Sequence, residues 1–224
     1  LYATWNKQTY LLSPTEIFTN QSPFDLNNHT IIFKPNGNTE YSINTNNNTN
    51  SRLDLTYNNT ITFTNYYSIS LTNNSFLFYG TNYNQINIHK DGYVSFGTNI
   101  VETNIFIIEN YFLEKRINYL FKSLTIDSDT LFQYELTTDS IDYDLLSIKI
   151  TNLKDGQNSL SAIINLFLSS SFYKYRGVIE VTYFNTNVST GILGLSDGNG
   201  YQFNFRNIKF TNFSQDFDFL PEPE

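Results

Sequence analysis

The sequence predicts an all-β protein built as an antiparallel β-sandwich. Short runs of β-branched and aromatic residues alternate with polar residues at a period of two, and Asn, Asp, Gly and Ser separate the runs. Aromatic residues make up 17% of the 224 residues and charged residues only 15%, against about 25% in an average domain. Glycine (10) and proline (5) are too scarce for a collagen-like or proline-rich chain.

Turn residues predict three hairpins in the first hundred residues. They lie at 30–33 followed by the turn 35–38, at 53–57 and 61–63 around Asn58 and Asn59, and at 86–89 and 93–96 around 90–92. Asn, Asp and Gly tolerate the left-handed backbone of tight turns. In the third hairpin Ile86 and Ile88 alternate with Asn87 and His89, so we expect His89 on a solvated face.

Further strands follow in the second half of the chain. Alternation over 146–150 and 179–183 predicts one dry and one solvated face in each strand, with Ser147 and Thr182 on the solvated faces. Residues 162–168 are more uniformly apolar, which favours a central strand. Residues 203–210 predict a last strand with a bulge near Arg206.

One segment departs from the β pattern. Residues 105–121 also fit helical spacing, and Asn104 would cap such a helix, so one short helix is predicted there.

The chain divides into three predicted parts. Residues 1–60 form an N-terminal β segment that packs on or extends the sandwich, and residues 61–214 form the sandwich itself. Residues 44–51 are a polar, low-complexity loop, and residues 215–224 begin an acidic, proline-stiffened linker. Because methionine is absent and the sequence starts at Leu1, we expect a processed product or an excised fragment.

Charge and composition exclude several classes of function. The net charge is −8 and the 13 Lys and Arg residues are scattered, which predicts no nucleic-acid partner. The absence of cysteine excludes disulfide frameworks, thiolate nucleophiles and cysteine metal sites. Apolar runs reach only about four residues, so no membrane insertion of this segment is expected.

Several segments occur in an order typical of one extracellular family. They are Y-S-I-S-L at 67–71, F-L-F-Y-G at 76–80, I-N-I-H-K-D-G-Y-V-S-F-G at 86–97, G-V-I-E-V-T-Y at 177–183 and G-I-L-G-L-S-D at 191–197. This order resembles nidogen-like domains, which also occur in plexin-domain-containing surface receptors. Residues 24–36 are similar to a β segment that precedes such domains in microbial surface proteins. The resemblance covers roughly residues 24–200 of this chain, which would be a divergent member of the family, and implies an extracellular β-sandwich.

Candidate catalytic and metal-binding groups are few. The two histidines, His29 and His89, both fall at predicted turns, where solvated side chains are the rule, so no Ser-His-Asp triad is assigned. Acidic pairs could serve as glycosidase carboxylates, could hold calcium, or could simply be solvated loops. These acids are Asp127, Asp129, Asp139, Asp142 and Asp144. We predict no catalytic residue, no metal site and no required cofactor.

Acceptor motifs for N-glycosylation are the other candidate sites. They lie at Asn20, Asn28, Asn47, Asn58, Asn73, Asn187 and Asn212. Chance alone predicts about six for 32 Asn and 45 Ser plus Thr in 224 residues, so the number does not indicate secretion. Their positions are more informative, because Asn28, Asn47, Asn58 and Asn73 fall in predicted turns or loops.

Aromatic pairs and clusters have two interpretations. Tyr66 with Tyr67, Tyr79 with Tyr83, and residues 172–175 could pack in the core, which is the default, or form a platform that stacks sugars.

These observations predict a non-enzymatic extracellular module for adhesion or structural assembly, on a cell, appendage or virion surface. Its partner would be another protein or a copy of itself, and residues 1–20 could form a strand that completes the sheet of a neighbouring copy. The alternative is a glycan-binding or glycan-hydrolysing domain.

Overall fold

A computed structural model describes residues 15–18, 26–38, 40–46, 55–100, 113–138, 143–171, 174–188 and 190–198. These residues form an all-β structure without helix. The strands are β1 Thr15–Phe18, β2 Thr30–Asn36, β3 Glu40–Asn46, β4 Asn59–Ile61, β5 Tyr66–Ser70, β6 Phe76–Phe78, β7 Thr81–Tyr83, β8 Gln85–His89, β9 Tyr93–Phe96, β10 Lys115–Phe121, β11 Leu131–Thr137, β12 Leu145–Asp155, β13 Asn158–Phe167, β14 Ile179–Tyr183 and β15 Gly191–Asp197.

The strands form two large sheets and one small hairpin. Sheet A has the order β1-β15-β10-β9-β8-β5, and sheet B has the order β3-β2-β14-β13-β12-β11-β4. The hairpin of β6 and β7 stands apart from both. Every pairing between named strands is antiparallel, which confirms the predicted β-sandwich class.

The apolar core combines alternate positions of both sheets with the hairpin. The contributing side chains include Ile86, Ile88, Val94 and Ile117 of sheet A, Ile31, Ile148, Ile164 and Val181 of sheet B, and Phe76 and Phe78 of the hairpin. The Tyr183 hydroxyl of sheet B also donates a hydrogen bond to the Tyr119 carbonyl of sheet A, at 2.7 Å. The sheets are therefore joined by apolar packing and by a buried polar contact.

Two predicted hairpins and the central strand are confirmed. Strands β8 and β9 pair around the turn at residues 90–92, and β2 and β3 pair around the turn at Gly37. Strand β13, which contains most of the uniformly apolar run, lies in the middle of sheet B.

The predicted helix over 105–121 is wrong for its described part. Residues Lys115–Phe121 form β10, which pairs with β9 and β15. Ile117 and Tyr119 point into the core, while Arg116 and Asn118 occupy the alternate positions, which is the period of a strand. Residues 105–112 lie outside the described residues.

The predicted hairpin around Asn58 and Asn59 is also wrong. Residues 55–58 are not in a strand, and β4 pairs with β11 of sheet B. Long-range contacts hold this segment, because the Asn58 amide donates to Glu135 at 2.9 Å and the Tyr57 hydroxyl lies 2.9 Å from the Ser147 hydroxyl. The polar loop predicted at 44–51 is wrong for residues 44–46, which belong to β3 and pair with β2. Residues 47–51, the predicted strand at 203–210 and the linker at 215–224 lie outside the described residues.

Candidate functional site

Within the described residues, the outer face of sheet A, which points away from the apolar core, carries a cluster of polar and ionisable side chains. We define this polar face by Asn87 and His89 of β8, Tyr93 and Ser95 of β9, and Arg116 and Asn118 of β10. They occupy the alternate positions to Ile86, Ile88, Val94 and Ile117, so strand alternation brings them to one side. All six are at most 4% exposed.

Hydrogen bonds and ring stacking link three strands across the polar face. His89 Nε2 lies 2.8 Å from Ser95 Oγ, and the His89 ring stacks on Tyr93 with the centroids 4.0 Å apart. Asn87 Nδ2 donates to the Gly97 carbonyl at 2.9 Å, while its Oδ1 accepts from Ser68 at 2.7 Å. The network therefore extends from β5 to β9 and fixes the rotamers of its members.

Arg116 supplies the positive charge of the polar face. Its guanidinium carbon lies 4.9 Å from the Tyr93 ring centroid and 5.1 Å from that of Phe121, which are cation–π distances. Glu114 Oε2 lies 3.6 Å from Arg116 Nη2. Burial raises the pKa of Glu114 despite this cation. Burial, with Arg116 as the second cause, lowers the pKa of His89 to about 3.

The contact between Ser95 and His89 has the distance of a nucleophile and its general base. Both side chains are buried, at 4% and 2% exposure, so a substrate has no direct access to them. A histidine with a pKa of about 3 is also a weak base at neutral pH. The arrangement therefore supports a role in holding sheet A together.

The expectation that His89 is solvated is wrong. Alternation correctly separates His89 from Ile86 and Ile88, but the face it joins is buried. The same correction applies to Ser147 and Thr182, which were expected on solvated faces and are at most 1% exposed. His29 is partly exposed beside the turn at 27–28, and its Nδ1 lies 2.9 Å from the Asn27 carbonyl oxygen.

The acidic candidates are engaged in local contacts. Asp127 Oδ1 accepts hydrogen bonds from the Asp129 amide at 2.9 Å and from Thr130 Oγ1 at 3.0 Å, and Lys154 Nζ lies 3.7 Å from Oδ2. Asp144 accepts from Asn74 Nδ2 at 3.1 Å and from Ser170 Oγ. Asp139 and Asp142 lie outside the described residues. Within the described part of the chain, no group of three or more His, Asp or Glu side chains could hold a metal ion.

The aromatic candidates separate into core and surface groups. Tyr79 and Tyr83 pack against the core, and Tyr66 is 38% exposed. On the outer face of sheet B, Tyr143 and Tyr175 are partly buried against Phe167, with ring centroids 5.3 and 5.6 Å from that of Phe167. Lys174 Nζ lies 4.7 Å from the Tyr175 ring. Phe172 and Tyr173 lie outside the described residues.

Four of the candidate glycosylation sites are described, and all four asparagines are exposed. Asn28 and Asn73 lie in turns with φ of 64° and 60°, and Asn58 precedes β4. Asn187 Oδ1 accepts a hydrogen bond from the Ser159 amide at 2.6 Å, so this side chain is held against β13. Asn20, Asn47 and Asn212 lie outside the described residues, and glycosylation stays a prediction throughout.

Sequence reasoning missed the polar face as a cluster. The available signal was the occurrence of polar residues at alternate positions of three strands, above all Arg116 and Asn118 flanking Ile117 in β10. Recognising it requires knowing that β8, β9 and β10 are neighbours, and the helical interpretation of residues 105–121 concealed that.

Comparisons with protein-family models, with curated proteins and with solved structures give no match to this chain. The resemblance to nidogen-like domains therefore stays a prediction. In the described ranges there is no helix of the length and apolar character needed to cross a membrane.

Proposed function

We propose that this chain is a non-enzymatic structural module of an extracellular surface, which assembles with copies of itself or with another protein. The observation that carries the proposal is the attachment of β1, which joins sheet A through four backbone pairs to β15, at the very edge of the sheet. Exposed sheet edges are the elements through which β-proteins most readily add strands from other chains.

Two further features support this proposal. The polar groups with catalytic potential, Ser95 and His89, are buried in a network that joins strands. The exposed asparagines at Asn28, Asn58 and Asn73 are compatible with glycans on an extracellular surface. Cell, appendage and virion surfaces are equally consistent with these features.

Assembly of the chain is the direct test. Size-exclusion chromatography with light scattering over a wide range of protein concentrations, together with electron microscopy, should reveal ordered oligomers or filaments. A folded chain that stays monomeric at every concentration and binds no protein from its native surface would contradict the proposal.

The second candidate function is glycan binding, and one observation favours it. Tyr143 and Tyr175 present partly buried rings on the outer face of sheet B, with Lys174 beside Tyr175. Aromatic rings bind the apolar faces of sugars, and charged groups bind their hydroxyls.

A sugar array separates the two functions. Under the glycan-binding function, Tyr175→Ala would abolish binding while Tyr175→Phe would retain it, because the ring supplies the contact. Wild-type protein that binds no sugar on the array would exclude this candidate. Release of sugar products that is lost in Asp129→Asn would instead indicate a hydrolase.

A further inference from the structure

We infer that β1 links the copies of this chain in the assembly. In that assembly, β1 of one copy pairs with the β15 edge of a second copy. This inference rests on the proposed function and names the surface and the partner that self-assembly would use. The partner is a second copy of this chain, because residues Thr15–Phe18 already pair with β15 in a defined register. Thr15 faces Gly194, Glu16 faces Leu193, Ile17 faces Ile192 and Phe18 faces Gly191.

The β15 edge needs a partner strand. On its other side β15 pairs with β10, so without β1 the backbone groups of residues 191–194 would form an open sheet edge. Natural edges are commonly protected by lysine or proline. Strand β15 contains neither, and its one charged residue, Asp197, lies at the end away from Gly191. The edge is therefore suited to strand addition.

The path of the chain permits exchange. Strand β1 belongs to sheet A, whereas the next strand, β2, belongs to sheet B. Residues 19–25 connect Phe18 to Leu26, and eight peptide steps reach at most about 25–30 Å when extended. A neighbour whose β15 lies within that reach receives the same four backbone pairs that β1 makes within one chain. Exchange thus keeps the pairing, which is the thermodynamic basis of strand swapping.

The geometry of exchange decides the form of the assembly. Strand β1 and the β15 edge are two different surfaces, so passing β1 onward from copy to copy makes a head-to-tail contact. Such contacts build open filaments unless the rotation between copies closes a ring, whereas reciprocal exchange between two copies gives a closed dimer. Light scattering distinguishes these forms.

Disulfide trapping tests the inference directly, because the natural chain has no cysteine. Ile17 and Ile192 are opposite one another in the register, and Cα atoms of such cross-strand pairs are about 4.5–5.5 Å apart, which suits a disulfide. We would mix the single variants Ile17→Cys and Ile192→Cys under assembly conditions and then oxidise. In this mixture a bond between positions 17 and 192 can form only between chains.

Exchange predicts a covalent heterodimer on a non-reducing gel. The double variant Ile17→Cys/Ile192→Cys should give a ladder of multimers if exchange is head-to-tail, and a covalent dimer if it is reciprocal. The control is Ile17→Cys mixed with Ser70→Cys, which places the second cysteine on β5 at the opposite edge of sheet A and should give no heterodimer. A second variant, Glu16→Pro/Ile17→Pro, removes two of the four backbone N–H donors of β1 and should leave folded monomers.

Different results would contradict strand exchange and the proposed function. Assemblies in which the double variant forms only intrachain disulfides, or in which the proline variant still assembles, would overturn strand exchange and leave self-assembly standing. A chain that forms no assembly, gives intrachain disulfides only and binds no protein from its native surface would overturn both.

Discussion

Two buried asparagines on the outer faces of the sheets differ in their hydrogen bonding. Asn165 accepts from the Ser147 hydroxyl at 2.7 Å and donates to Glu180 at 3.3 Å. Asn118 is 1% exposed, yet within the described residues neither its Nδ2 nor its Oδ1 has a partner. A buried polar group without a partner lowers stability by about 1–3 kcal/mol.

This difference predicts opposite effects for the same substitution. Asn118→Leu should raise the free energy of unfolding by about 1–3 kcal/mol, because leucine is similar in size to asparagine and carries no amide that needs a hydrogen-bond partner. Asn165→Leu, the matched control, should lower it by a similar amount, because Ser147 and Glu180 each lose a bond. Urea unfolding of both variants is the measurement. A lower stability for Asn118→Leu would mean that its amide is hydrogen-bonded in solution.

Single residues also mark the limit of prediction from the sequence. The period of two correctly assigns His89, Ser147 and Thr182 to the faces opposite the core. It cannot predict that these faces are buried, because alternation gives the direction of a side chain and not what lies over it. The direction of Asn87 and His89 on β8 could therefore be predicted, but not their burial or the β10 residues Arg116 and Asn118 that complete the polar face.

At the scale of elements, the turn between β8 and β9 depends on Gly92. Its carbonyl accepts hydrogen bonds from the amides of Tyr119 and Leu120, both at 2.9 Å. Its φ is +78°, and a Cβ at this position would lie 1.6 Å from the Leu120 carbonyl oxygen. The turn and β10 are in such close contact that a side chain has no space.

Gly92→Ala should therefore lower the free energy of unfolding by about 3 kcal/mol or more, since backbone must move in addition to the strain of positive φ. Gly37→Ala is the control, because Gly37 has a similar φ of +75° with no atom within 4 Å of the added Cβ. It should cost only about 1–2 kcal/mol. If thermal and urea unfolding showed the same loss of stability for both variants, the close contact of Gly92 with Leu120 would not contribute to the effect.

Local turn chemistry predicted the elements well where both strands of a hairpin are neighbours in sequence. The turns at Gly37 and Gly92 are examples. It failed where a strand pairs with a distant one: β4 pairs with β11, more than 70 residues away, and β10 pairs with β9 and β15. No local pattern contains such partners, so the sequence around Asn58 and around residues 105–121 was misinterpreted.

At the scale of the whole molecule, the buried polar face of sheet A predicts how stability depends on pH. His89 is buried beside Arg116, and its pKa falls from 6.5 to about 3 in the folded chain. Between these values the unfolded chain binds a proton that the folded chain excludes. The contribution of His89 is fully present above pH 6.5 and is lost as the pH falls towards 3.

We therefore expect the free energy of unfolding to fall on acidification below pH 6.5, by up to about 1.4 kcal/mol per pH unit from His89. Glu114 acts in the opposite direction, because its raised pKa means that the folded chain binds this proton more readily. Urea unfolding between pH 7 and pH 4 measures the sum. His89→Gln should flatten the profile, whereas His29→Gln, at a surface turn, should keep it. A profile unchanged by His89→Gln would show that other groups control acid unfolding, and that protonation of the imidazole between Ser95 and Tyr93 does not weaken sheet A.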